Sequence, residues 1–137
     1  MSDMLKKDAS SVFWLSIFLG IPIYLWLWSI GTKLQIDKVK INELKLLIFK
    51  LSVFYPIAYF VFAIYYMFTN GWVVMPMHIA AMISTFYAMI FAAKTLKSAE
   101  LKREAEISEY LGDFFLVWFF PIGIWIIQPR IHKLINE

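Results

Sequence analysis

The sequence predicts an all-α integral membrane protein with four hydrophobic helical segments, of which the middle two form a transmembrane hairpin. Hydrophobic residues make up 61% of the 137 residues, whereas soluble domains contain roughly 45–50%. Three long stretches, residues 9–32, 51–93 and 114–129, contain no Asp, Glu, Lys or Arg. Aromatic residues make up 19%, and Trp and Tyr rings are typical of membrane interfaces. At this length the chain is one membrane domain, residues 1–137.

The first hydrophobic segment covers about residues 11–30, which is long enough for one bilayer crossing of about 20 residues. It follows Lys6 and Lys7 like a signal peptide, but the apolar run is long and lacks an Ala-x-Ala-like cleavage site. We therefore expect a retained helix. Gly20 and Pro22 lie near its middle, where Gly lowers helix stability and Pro removes a backbone hydrogen bond.

The second charge-free stretch is about twice as long as one crossing requires, so it predicts two helices, near residues 46–68 and 72–93. Thr69-Asn70-Gly71 supplies the turn between them, since Asn and Gly accept turn conformations. The Asn70 turn carries no Lys or Arg, whereas both flanks of the hairpin carry several. The positive-inside rule therefore places the Asn70 turn on the non-cytoplasmic side.

Residues 94–111 mix basic residues with Glu at spacings of three and four, which predicts a polar helical connection that extends the third segment. The fourth segment, about residues 112–129, is short for a crossing of about 30 Å. Pro121 and Gly123 lie in its middle, and Asp113 is expected to cap its first turn.

The first and fourth segments resemble each other around these Gly and Pro residues. Residues 18–26 and 119–127 share an Ile-x-Ile-aromatic pattern in which Gly and Pro have exchanged places. We expect both segments to be kinked or re-entrant, with the helix interruptions at Gly20, Pro22, Pro121 and Gly123. Two arrangements remain open: the length of the first segment favours four full crossings, and the Lys and Arg distribution favours two crossings flanked by re-entrant segments.

One group of side chains has donors that could hold a metal. His78 and Met82 share a helix face, and Met75 is close in sequence; imidazole and thioether groups suit copper(I). A metal site would require more donors, and Met also packs well in cores. The chain contains no Cys. We therefore predict no metal and no cofactor.

The net charge of +3 arises from basic residues beside the hydrophobic segments, where they would meet anionic lipid headgroups. The expected partners are membrane lipids and not nucleic acid. The candidate headgroup-binding residues are Lys33, Lys38, Lys40, Arg130 and Lys133.

No catalytic signature is present in the sequence: it has no G-x-S-x-G, no H-E-x-x-H and no P-loop. We therefore predict a noncatalytic protein that acts through helix packing, as an accessory subunit or scaffold in a homo-oligomer or a larger membrane complex. One alternative is a small oligomeric transporter or channel built on the Gly/Pro-broken helices. Another is a membrane protein that binds lipid headgroups.

The last third of the chain resembles uncharacterised small bacterial multi-helix membrane proteins. The resemblance depends on Phe120-Pro121-Ile122-Gly123-Ile124-Trp125 and Gln128-Pro129-Arg130. It implies a multi-pass protein of the bacterial inner (cytoplasmic) membrane, and it implies no activity.

Overall fold

The computed structural model describes residue 6 and residues 20–35, 42–67 and 74–137. Over these ranges the chain is helical, which confirms the all-α prediction. Residues 11–19 of the first segment, the Asn70 turn, Lys38 and Lys40 lie outside the described residues. The helices are α1 (Ile21–Lys33), α2 (Glu43–Met67), α3 (Val74–Leu101), α4 (Ile107–Trp118) and α5 (Phe120–Asn136).

Helices α2 and α3 form an antiparallel pair. The ring of Phe49 stacks on that of Phe91 with centroids 4.3 Å apart, and the Tyr55 hydroxyl donates to the Met77 carbonyl at 3.3 Å. Among the described residues these are the two helices that are long and apolar enough to cross a membrane. Only 22% of the apolar stretch of α2 and 39% of that of α3 is buried, so neither resembles the enclosed core helix of a soluble protein.

Helix α1 packs along the C-terminal half of α3. Near its start, the Tyr24 hydroxyl lies 3.2 Å from Oγ1 of Thr85. Near its end, Gly31 lies directly against the ring of Phe49 on α2, and that ring stacks on Phe91 of α3. Helix α1 therefore begins beside the middle of α3 and runs towards the C-terminal end of α3.

The fourth predicted segment is two helices, because α4 ends at Trp118 and α5 begins at Phe120. A Cβ atom at Gly123 would lie 1.6 Å from the carbonyl oxygen of Leu116. In a continuous helix, residues seven apart are separated by about 10 Å along the axis, so the chain must reverse between them. The Trp118 ring contacts that of Phe86, with centroids 5.2 Å apart. The tip of this α4–α5 hairpin therefore lies beside the middle of α3.

The two prolines of the repeat occupy equivalent positions, since Pro22 and Pro121 are the second residues of α1 and α5. An N–H at that position has no partner within the helix, so proline costs no hydrogen bond there. Gly20 precedes α1 with a φ of 64°, which glycine adopts readily. These residues thus lie at helix starts, and not in the middle of a described helix.

The polar connection over residues 94–111 is interrupted. Helix α3 extends to Leu101, and Lys102 then adopts a φ of 54°. The backbone N–H of Ala105 donates to Oγ of Ser98 at 3.0 Å, and α4 begins after its N-cap residue, Glu106. The prediction that Asp113 caps the fourth segment is wrong, because Asp113 lies well inside α4.

The core lies around the C-terminal half of α3, where small side chains let the neighbouring helices approach closely. Trp26 of α1 is fully buried there, and its ring meets that of Phe120 edge-on at 5.6 Å. The fully buried apolar residues are Trp26, Leu27, Ile30, Phe49, Ala88, Ala92, Ala93, Leu96, Ile124, Ile127 and Ile131.

Candidate functional site

A cluster of charged side chains joins three helices at the C-terminal end of α3. Arg130 of α5 donates from Nε and Nη2 to the two carboxylate oxygens of Glu100 on α3, each at 2.6 Å. It also donates from Nη1 to Oδ1 of Asp113 on α4 at 2.5 Å, and from Nη2 to Oδ2 at 3.0 Å. A single guanidinium therefore holds α5 against both α3 and α4.

The ion cluster is partly shielded from solvent. The side chain of Asp113 is 7% exposed and that of Arg130 is 25% exposed. The hydrogen bonds that Arg130 donates to Glu100 and Asp113 raise the pKa of Arg130, so the guanidinium remains charged. Lys97 lies 3.6 Å from Glu100, which brings two cations to the two carboxylates. Because each carboxylate takes two donors from Arg130, the geometry is the strong bidentate form.

Two further ion pairs, both more exposed than the ion cluster, hold the loop between α3 and α4. Lys94 donates to Glu104 at 2.5 Å, and the two Nη atoms of Arg103 donate to Glu109 at 2.5 and 3.0 Å. The bond from Lys94 lowers the pKa of Glu104, and the bond from Arg103 lowers that of Glu109. These contacts, together with the ion cluster, fix where α4 begins.

An apolar cleft of about 650 Å³ lies beside the hairpin tip, away from the ion cluster. It is bordered by the start of α1, the middle of α2, the N-terminal half of α3 and the last residue of α4. None of its described lining residues is Asp, Glu, Lys or Arg. Its large apolar lining side chains include Ile21, Ile57, Phe60, Met82, Phe86 and Trp118.

The polar side chains of the cleft are already hydrogen-bonded to each other. Tyr24 pairs with Thr85, as described above, and the Tyr59 hydroxyl lies 3.1 Å from Nδ1 of His78. The described lining therefore has one hydrogen-bonded polar pair at His78 and another at Thr85 along α3, and its other side chains are apolar. Its described lining can accept an apolar group.

The structure places two of the three candidate copper ligands in one cleft. His78 and Met82 both line it, whereas Met75 does not, and Nδ1 of His78 lies beside the Tyr59 hydroxyl. Met75 is 62% exposed. In the described ranges, no group of three or more His, Asp or Glu side chains is arranged to hold a metal ion.

The helix interruptions do not form one site. Gly20 lines the cleft, and Gly123 packs against Leu116 inside the hairpin. Pro22 is buried and Pro121 is exposed.

The candidate headgroup residues also differ in their surroundings. Lys33 at the end of α1 and Lys133 in the last turn of α5 are exposed. Arg130 instead directs Nε and both Nη atoms to protein carboxylates. Its guanidinium is therefore engaged within the protein and is not a candidate for binding lipid headgroups.

Sequence reasoning missed the ion cluster, although the sequence carried a signal for it. Asp113 and Arg130 are opposite charges that bound the charge-free run 114–129. If that run were a straight helix, the two residues would lie about 25 Å apart. In a helical hairpin they can meet, so opposite charges at the two ends of a short apolar run favour a hairpin.

The chain matches no known family model, no curated protein and no solved structure.

Proposed function

We propose that this chain is a noncatalytic integral protein of a bacterial inner membrane that serves as an accessory subunit or scaffold. In this proposal α2 and α3 cross the bilayer, and the α4–α5 hairpin enters it to half its depth from the cytoplasmic side. The exposed apolar surface of α2 and α3 supports the two crossings. The basic residues near the C-terminal end of α3 support a cytoplasmic position for that end.

The observation that carries the proposal is the outer face of the α4–α5 hairpin. This hairpin face is apolar, rich in aromatic rings and exposed, with Trp118 at 46%, Phe119 at 59% and Trp125 at 53%. Its described large apolar members are Phe115, Trp118, Phe119, Ile122, Trp125 and Ile126. The ion cluster anchors the hairpin to α3, so the hairpin face is presented in a fixed position. Large aromatic side chains on a rigid support are typical of interaction surfaces.

Affinity purification in a mild detergent after crosslinking in membranes tests the proposal. We expect a second copy or a distinct membrane protein to be captured by the wild-type chain. The double variant Ile122→Ala/Trp125→Ala should reduce that capture about tenfold, because a buried aromatic anchor contributes at least about 1.4 kcal/mol to binding.

The matched control is Ile79→Ala/Ile83→Ala, which removes exposed apolar side chains from the N-terminal half of α3. It should leave capture unchanged. A wild-type chain that crosslinks to nothing and runs as a lone monomer would refute the proposal.

A small transporter or channel is the second candidate, and one specific observation favours it. Both α1 and α5 begin beside the middle of α3 with proline as the second residue. Paired half-helices that start at mid-membrane are typical of transporter substrate sites. Ion or solute flux into proteoliposomes that is lost in Pro22→Ala and Pro121→Ala would support this candidate, and flux unaffected by both changes would exclude the broken helices as its basis.

A further inference from the structure

The described helices are distributed unequally along α3. Within α3 the charge-free run covers residues 74–93, which as a helix is about 30 Å long and equals the thickness of the hydrocarbon core of a bilayer. Thr85 and Phe86 lie close to the centre of that run. If α3 crosses the bilayer, these two residues mark the midplane, and the C-terminal half of α3 lies in the cytoplasmic leaflet.

Three helices have one end at this level. Tyr24, in the first turn of α1, contacts Thr85, and Trp118, the last residue of α4, contacts Phe86. From there α1, α4 and α5 all extend towards the C-terminal end of α3, where the ion cluster joins α4 and α5 to it. The five described helices therefore share the cytoplasmic half. Of these helices, only α2 and α3 continue through the other half.

Both halves have an apolar outer surface. In the cytoplasmic half this surface includes the hairpin face, and the chain has no Asp, Glu, Lys or Arg over residues 114–129. In the other half, Ile79 and Ile83 are 54% and 66% exposed. The α4–α5 hairpin therefore adds width to the protein within the hydrocarbon core, where charged side chains are costly.

Residues 9–19 lie outside the described residues, and their number limits what they add to either half. They are 11 residues without charge, and as a helix they would reach at most about 16 Å, about half the hydrocarbon thickness. Whatever their path, they add at most one helix to one half. The cytoplasmic half then has at least five helices and the other half at most three.

This difference in helix number is a difference in cross-section. A helix with its side chains is about 10 Å across, so it occupies roughly 80 Å² of the membrane plane. Five helices occupy about 400 Å² and three about 240 Å². The protein is therefore wider in the cytoplasmic leaflet by about 160 Å² or more. Lipids must deform to surround a protein that does not match the bilayer, and the deformation costs free energy.

We propose that this chain acts as a wedge, and that the lipid surface it prefers is a bilayer that is convex on the cytoplasmic side. The convex leaflet of a curved bilayer has the larger area, so a protein that is wider in that leaflet fits with less deformation. The opposite orientation increases the mismatch. The wedge rests on the proposed crossing by α2 and α3 and on the half-depth entry of the α4–α5 hairpin.

The orientation of the protein in vesicles of graded size tests the wedge. The full chain with a single introduced cysteine is reconstituted by detergent removal in dioleoylphosphatidylcholine, which carries no net charge, and the vesicles are separated by size. The smallest fraction is about 300 Å across, so that its radius is only about five times the hydrocarbon thickness. A membrane-impermeant maleimide then measures the share of each cysteine on the outside.

Glu137→Cys reports the cytoplasmic end of the protein, and Asn70→Cys reports the opposite end. The ratio of outside to inside labelling of Glu137→Cys should rise at least about twofold from the largest to the smallest vesicles, equivalent to about 0.4 kcal/mol. The ratio for Asn70→Cys should fall by the same factor. Ratios that do not depend on vesicle size, or that change in the opposite sense, would overturn the wedge.

Ser108→Cys separates failure of the wedge from failure of the proposed function. Ser108 lies at the start of α4, so Ser108→Cys and Glu137→Cys should be labelled to the same extent in every fraction. Labelling on opposite sides would mean that the hairpin crosses the bilayer, and would refute the half-depth hairpin together with the wedge. Equal labelling of the two, with no dependence on vesicle size, would refute the wedge alone. Capture of a partner by crosslinking reports the scaffold role separately.

Discussion

The two halves of α3 differ in exposure, and the half that carries charged side chains is the more buried one. In the C-terminal half, Ala88, Ala92 and Leu96 are fully buried, whereas Met75 and Ile83 in the N-terminal half are 62% and 66% exposed. The buried half has small side chains that let α1 and α4 approach, and charged groups at its end that fasten α5. The exposed half has large side chains and only α2 as an extensive neighbour among the described helices. Side-chain size and terminal charge, more than hydrophobicity, thus separate packed surface from surface available to lipid or partners.

Gly123→Ala should have the largest effect, because it disrupts the chain reversal between α4 and α5 beside the buried half of α3. The new methyl group would lie 1.6 Å from the Leu116 carbonyl oxygen, and backbone atoms at that position cannot move aside independently. We expect a loss of about 3 kcal/mol or more in the free energy of unfolding. Titration with SDS in mixed micelles measures it.

Gly112→Ala is the matched control on the same hairpin. Gly112 lies inside α4, and a Cβ atom there meets no atom within 4 Å. Alanine should raise stability by about 0.5–1 kcal/mol, since glycine is unfavourable inside a helix. Equal effects of the two substitutions would mean that α4 and α5 do not fold back at Phe119.

Arg130→Met should have the next largest effect, because it leaves Glu100 and Asp113 near each other without their shared cation. We expect a loss of about 2–3 kcal/mol in unfolding free energy. The same change at Lys133, an exposed residue of the same helix, should change stability by less than about 0.5 kcal/mol.

Neutralising the carboxylates tests whether the ion cluster acts as a unit. Adding Glu100→Gln and Asp113→Asn to Arg130→Met should restore part of the lost stability, because the uncompensated charges are gone. If the three changes are simply additive, then the ion cluster contributes no coupling between the helices.

Gln128→Met tests the buried contact between α1 and α5. The indole Nε1 of Trp26 donates to Oε1 of Gln128 at 2.8 Å, and both side chains are buried. Removing the acceptor should cost about 1–2 kcal/mol, chiefly the desolvation of the indole N–H. Combining it with Trp26→Phe should cost less than the sum of the two single changes. Thermal unfolding in detergent provides the measurement.

The pair Arg103–Glu109 should produce the smallest effect, and one that depends on pH. Its bond lowers the pKa of Glu109 below the ordinary value of 4.5. Because the pKa of Glu109 is lower in the folded state, the pair stabilises the protein when the pH is above 4.5. This stabilisation is lost as the pH falls through the lowered pKa. Arg103→Gln should therefore lower the Tm by at most a few degrees at pH 7. The difference from wild type should shrink as the pH falls below 4.5 and vanish once it is below the lowered pKa of Glu109. A difference that persists in stronger acid would contradict this account.

Sequence patterns predicted the helical class and the two long apolar helices, because both follow from local composition over many residues. They also singled out Pro22 and Pro121, which are the second residues of α1 and α5. They did not reveal that the chain reverses at Phe119, since the reversal depends on the close approach of Gly123 to Leu116. Asp113 illustrates the same limit: a carboxylate before an apolar run looks like a helix cap, and only the folded hairpin brings it to Arg130.

Single-cysteine labelling of this cysteine-free chain tests the central claim most directly, namely that the α4–α5 hairpin returns to the side from which it starts. Ser108→Cys and Glu137→Cys report the two ends of the hairpin, and Asn70→Cys reports the opposite side. In intact cells a membrane-impermeant maleimide should label Asn70→Cys alone, and all three should react after the membrane is opened. Labelling of Glu137→Cys together with Asn70→Cys in intact cells would mean that the fourth segment crosses the bilayer, and would contradict the account.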